Sequence, residues 1–160
     1  MIAAATSFAV LGATLWKPSL VLLWNATPSS PLGLYWVGSS RTLRVGDTAI
    51  AWPPAAARSL AARRDYLPAD VPLVKSVAAV AGSRICATGS AVFVNGRRVV
   101  VRRSRDRAGR ALPWWFGCHT LRKGEFFLLT PLVAEAFDGR YFGITRAADV
   151  IGQGELLWPR

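Results

Sequence analysis

From Pro28 onward, glycines, prolines and one Asn-Gly pair cut this chain into apolar runs of four to ten residues. Runs that short suit strands, whereas helices in globular domains usually need ten or more residues. The runs at 34–37, 48–52, 71–80, 84–88, 91–94, 97–101, 124–130, 141–145 and 150–158 read as strands, and Asn95-Gly96 reads as a type I′ turn joining two of them. One stretch differs. Residues 55–64, Ala-rich with Leu60 and paired basic residues, predict a single short surface helix closed off before Pro68. Many short strands with almost no helix predict a mainly β domain, an antiparallel sheet curled or partly closed on itself.

The chain's 160 residues suffice for one such domain plus a short N-terminal anchor, with no internal repeat or low-complexity tract. A hydrophobic fraction of 52%, with seven Trp, argues against disorder. Seventeen Arg and three Lys against nine acids give a formal charge of +11, so anionic surfaces attract the domain. The densest basic run, Arg97 and Arg98 followed by Arg102, Arg103, Arg105, Arg107 and Arg110, is interrupted by valines and not by aromatics suited to stack bases. It reads first as a solvated basic hairpin and loop, second as a membrane-facing patch, and nucleic acid is the least favoured partner.

Residues 2–16 are uncharged, but at about 1.5 Å per residue they cross only about 22 Å of a hydrocarbon core near 30 Å. Extending the segment through residue 24 supplies the length, with Lys17 snorkelling and Trp16 and Trp24 as interfacial anchors. The reading is a membrane helix over 1–24 and a folded domain over 25–160. A cleavable signal peptide is the rival, disfavoured because no Lys or Arg precedes the apolar run. The only two cysteines, Cys86 and Cys118, are a candidate disulfide in an exported domain. One histidine and no Cys-x-x-Cys leave no basis for a metal site, and no cofactor is called for.

Two segments carry the candidate chemistry. Residues 25–35 place Thr27, Ser29 and Ser30 on a Pro/Gly-kinked turn, and residues 73–79 centre Lys75 in an apolar strand. A serine hydroxyl needs a base, and a lysine serves if desolvation brings its pKa down from about 10.4. His119, the alternative base, reads as an ordinary polar residue on a loop. The segments by themselves also admit plainer uses, Ser29 and Ser30 as turn hydroxyls and Lys75 as the ion-pair partner of an acid such as Asp70.

These two segments, together with Phe-Asp-Gly-Arg-Tyr-Phe-Gly at 137–143, in this order and after an apolar leader, resemble the S26-type membrane signal peptidases, closest to the conjugative-transfer, TraF-like branch that matures pilin precursors. The resemblance implies the signal peptidase β fold and a Ser/Lys dyad with Ser29 as nucleophile and Lys75 as general base. It places Thr27, with the Ser29 N–H, in the oxyanion hole, and Asp138 and Arg140 as residues that brace the site. It also implies a bacterial inner-membrane protein with a single span and a periplasmic catalytic domain, acting on a protein substrate beside type IV secretion components. Three positions depart from the family pattern: Gly139 and Ala136 stand where serines are usual, and Gly82-Ser83 replaces the usual Gly-Asp.

The function expected is cleavage of an exported precursor, a conjugative pilin in the first instance, with or without joining of its ends. A general leader peptidase is the near alternative. From another class, a non-catalytic basic scaffold or DNA-contacting transfer protein would leave Ser29 without a role.

Overall fold

The computed structural model describes residues 21–39 and 43–160. They form a curled, mainly β domain in which every paired strand is antiparallel. The strands are β1 (Leu22–Asn25), β2 (Gly33–Gly38), β3 (Thr48–Ala51), β4 (Leu73–Ala79), β5 (Arg84–Thr88), β6 (Ala91–Val94), β7 (Arg97–Val101), β8 (Gly117–Thr120), β9 (Glu125–Leu129), β10 (Thr145–Arg146) and β11 (Val150–Pro159). Two sheets result, one ordered β1-β2-β11-β3-β4-β9-β10 and a smaller one ordered β7-β6-β5-β8.

Strand β4 lies inside the larger sheet, where β3 and β9 take up its backbone bonds and Leu73, Lys75 and Val77 bury on one face. Ala79, Phe127 and Leu129 of this sheet pack with Ile85, Ala87, Val92 and Val100 of the smaller one, so the two share a core. At the Asn95-Gly96 turn both residues have positive φ, 49° and 78°, the conformation a type I′ turn requires. The expected helix is α1 (Ala55–Arg63), which buries Ala57 and Ala61, one turn apart on one face. Leu67 and Leu73 pack on that face, close to the start of β4.

Four sequence expectations need correction. The apolar residues 22–24, assigned to the anchor, are strand: β1 pairs with β2, Leu22 opposite Trp36. The rest of the anchor lies outside the described residues apart from Val21, and among the described residues no helix is long and apolar enough to cross a membrane. Residues 141–145 are not one strand: a second helix, α2 (Gly139–Phe142), takes the first two of them, and only Thr145, at the start of β10, is in a strand. Asp138 decides this by capping the turn, its carboxylate accepting from the Arg140 N–H. His119 lies on a strand and not a loop, because β8 pairs with β5 and sets Cys118 directly opposite Cys86, to which it is disulfide-bonded.

The basic stretch beyond β7 is also more ordered than a solvated loop. Arg102 is 2% exposed, its guanidinium donating to the carbonyls of Gly89 and Trp115 and lying 4.4 Å from the Trp114 ring. Residues 102–113 then double back as an arm, with Arg105 bridged to Ala111 and the Leu112 N–H bonded to the Ser104 carbonyl.

Candidate active site

The turn after β1 is built by one side chain. Asn25, 5% exposed, accepts from the Thr27 N–H (3.1 Å) and the Thr27 hydroxyl (2.7 Å), and its amide donates to the carbonyls of Thr27, Ser30 and Pro31. These bonds wrap the backbone around the amide, and the Tyr35 hydroxyl adds a bond to the Pro31 carbonyl (2.9 Å). The two serines on this turn part ways. Ser30 donates to the Val74 carbonyl of β4 (2.6 Å), which fastens the turn to the strand. Ser29 instead meets the next residue of β4, its Oγ 2.5 Å from Lys75 Nζ.

Lys75 is 2% exposed and shares the face of β4 that carries Leu73 and Val77. Burial brings its pKa from the ordinary 10.5 down to about 8; the Asp138 carboxylate opposes that fall and the Arg140 guanidinium adds to it. No ion pair of Lys75 with Asp70 or another acid forms among the described residues, and its hydrogen bond is to Ser29. A neutral amine at this position can take the Ser29 proton.

A model of the signal peptidase family, peptidase S26, matches residues 1–158 of the chain. The chain belongs to that family. Within it the relatives are of the TraF-like branch. The chain is 36% identical over 137 residues to the probable conjugal transfer protein TraF of Sinorhizobium fredii, covering 80% of this chain and 72% of that one. It is 30% identical over 138 residues to a plasmid transfer protein TraF of Escherichia coli, covering 79% and 77%. The conjugal transfer protein TraF of Agrobacterium tumefaciens is 32% identical over 127 residues, covering 74% and 72%.

In this S26 domain Asp138 and Arg140 are fully buried against each other. Arg140 donates to both carboxylate oxygens (2.8 and 2.9 Å) and to the carbonyls of Thr130 and Ala134, while the Thr130 N–H bonds to Asp138 (2.8 Å). Every arm of the pair is therefore occupied in holding the 130–140 segment. Ala136 lines the same cleft as Ser29 and Lys75 but has no hydroxyl to offer the lysine. Gly139 has a steric reason: a Cβ there would come within 2.8 Å of the Leu128 carbonyl and 2.9 Å of the Phe127 ring. His119 bonds to Glu125 (2.8 Å) and does not line the cleft, so it is no base for Ser29.

The Thr27 hydroxyl points back to Asn25 and lies 3.5 Å from Ser29 Oγ, so its proton is held by the turn in the absence of substrate. The Ser29 N–H is free of backbone partners among the described residues. Asn25 is the residue that reasoning from sequence did not single out. Its signal was present, an Asn two positions before a Thr and four before a Ser, but the bonds it makes depend on how the turn closes.

Proposed function

We propose that this protein is a serine endopeptidase in which Ser29 and Lys75 form the catalytic dyad. The observation that carries the reading is the 2.5 Å contact between Ser29 Oγ and an almost fully buried lysine whose pKa is lowered to about 8. Ser29 Oγ attacks the scissile carbonyl carbon and its proton passes to Lys75 Nζ. The oxyanion meets the Ser29 N–H and the Thr27 hydroxyl, which turns from Asn25. As the tetrahedral intermediate collapses, the C–N bond breaks and Lys75 returns the proton to the leaving amine, leaving an acyl-enzyme. Water then attacks that ester, Lys75 again taking and returning a proton, to release a carboxylate. An amine at the other end of the precursor attacking the same ester would close a ring. Asp138 and Arg140 hold the segment behind Lys75 without adding net charge.

The substrate is an exported precursor, a conjugative pilin, and the relatives described as conjugal and plasmid transfer proteins support that context. The domain works at the inner membrane on the periplasmic side, where a Cys86–Cys118 disulfide persists. The test is the intact mass of a pilin precursor co-expressed with wild type or with Ser29→Ala. Shortening by wild type alone is expected, with a further loss of one water if the ends are joined. A precursor unchanged by wild type would count against the pilin, and Ser29→Ala cutting as well as wild type would sink the dyad.

A further inference from the structure

The cleft that opens on Ser29 has a volume of about 510 Å³ and two chemically different parts. Around Ser29 and Lys75 its lining is apolar, through Leu73, Val133, Ala136 and Phe137. Along the 102–113 arm it is made of guanidinium groups, those of Arg103, Arg105, Arg107 and Arg110, with Arg64 joining from the end of α1. The acids on this lining are Asp65, Asp106 and Glu135, three against five arginines, and two of them are shared. Asp106 pairs with both Arg64 (3.7 Å) and Arg110 (2.7 Å), and Glu135 pairs with both Arg103 (2.8 Å) and Arg107. Arg105 donates to the Gly109 carbonyl (2.6 Å) and forms no ion pair among the described residues. Each shared carboxylate leaves one guanidinium charge unbalanced and Arg105 adds a third, against which Asp65 is the one remaining acid of the lining, so its arginines exceed its acids by two.

That excess is accessible, since the Arg107 side chain is 85% exposed and that of Arg103 53%. It is also held in place. The Arg103 N–H donates to the Tyr141 hydroxyl (3.1 Å), Arg64 donates to the Ala111 carbonyl (2.8 Å), and the Tyr66 hydroxyl bonds to Asp106. A net charge of +11 attracts anions to the whole surface. The arm does something narrower: it presents planar, two-pronged carboxylate partners within the cleft that holds the nucleophile.

We infer that the 102–113 arm is a specificity wall that selects precursors bearing a carboxylate, either an acidic side chain or a free chain end, in the residues lying along it. The inference rests on the endopeptidase reading, and the test separates the two. Four peptides share one sequence spanning the precursor's cut, with Glu or Gln near the cut and a free or amidated C-terminus. The full chain in detergent is assayed as wild type and as Arg105→Gln/Arg107→Gln. For wild type the carboxylate peptide is expected to have a kcat/KM about fivefold above its neutral counterpart. That ratio shrinks as salt is added and falls toward one in the double variant. The Glu pair and the free-end pair tell the two carboxylate sources apart.

Ratios of one in wild type, or ratios that the double variant leaves intact, overturn the wall while the cleavage itself upholds the dyad. If none of the four is cut, the endopeptidase reading fails, and fluorescence anisotropy of the labelled peptides on Ser29→Ala then reads the wall alone. Tighter binding of the carboxylate peptides, lost when the arginines are also changed, upholds it; equal binding overturns it. A double variant that loses affinity for phosphatidylglycerol vesicles and keeps the peptide ratio would assign these arginines to lipid headgroups and end the proposal.

Discussion

A lysine can act as a base at neutral pH only if the fold keeps it from its proton, and at Lys75 burial does this. With a pKa of about 8, about a tenth of the lysine is neutral at pH 7, so kcat/KM should rise nearly tenfold per unit below pH 8 and level off above it. A pH–rate profile flat from 6 to 9 would contradict this. The same shift has a stability consequence. Between about 8 and 10.5 the unfolded chain binds a proton that the folded chain has lost, so stability rises with pH across that window. Below 8 the cost of the buried ammonium is fully present. Lys75→Met should therefore be inactive yet more stable at pH 7, by about 2 kcal/mol in urea denaturation, with the gain gone above pH 10.5. The serines make the matching contrast. Ser30→Ala should lose about 1 kcal/mol of stability and keep activity, because its hydroxyl holds the Val74 carbonyl, whereas Ser29→Ala should lose activity and keep the fold. Turn chemistry left the two hydroxyls equivalent, and in the sequence only the family spacing singled out Ser29. Only the approach of β4 gives one to the strand backbone and the other to the lysine.

At the scale of elements, the short β runs and the Asn95-Gly96 turn were legible because side-chain alternation and turn chemistry are local. Helix α2 was not, since Tyr-Phe-Gly-Ile suits a strand as well as a helix, and its four residues owe their helical form to the Asp138 cap and the Arg140 pair. This element also explains a departure from the family pattern. Gly139 sits where the helix start presses on β9, so restoring the usual residue as Gly139→Ser should cost about 1 to 3 kcal/mol in thermal or urea unfolding. Unchanged stability would mean that the Leu128 carbonyl and the Phe127 ring yield easily. Strand β1 was read as part of an anchor because apolar residues beside an apolar leader look alike in sequence; pairing with β2 is a tertiary event.

For the molecule as a whole, the Cys86–Cys118 bridge closes a loop across 32 positions that contains β6, β7 and the arginine-bearing arm. Replacing both cysteines by alanine should cost about 3 to 4 kcal/mol if the bridge acts through the unfolded chain, read as a lower urea midpoint. Peptidase activity under native conditions should survive, because Ser29 and Lys75 lie outside that loop. By itself the sequence determined the β class, helix α1, the family and the segments from which a nucleophile and a base would come, since periodicity, turn residues and motif order are written along the chain. The tertiary structure alone decided that Ser30 fastens the turn to β4, that Asn25 builds the turn, that Arg102 is buried, and that a row of arginines shares the cleft with Ser29 and Lys75. Those outcomes depend on contacts between residues dozens of positions apart, and burial and charge balance are set by what the fold brings near and not by what stands next in the chain.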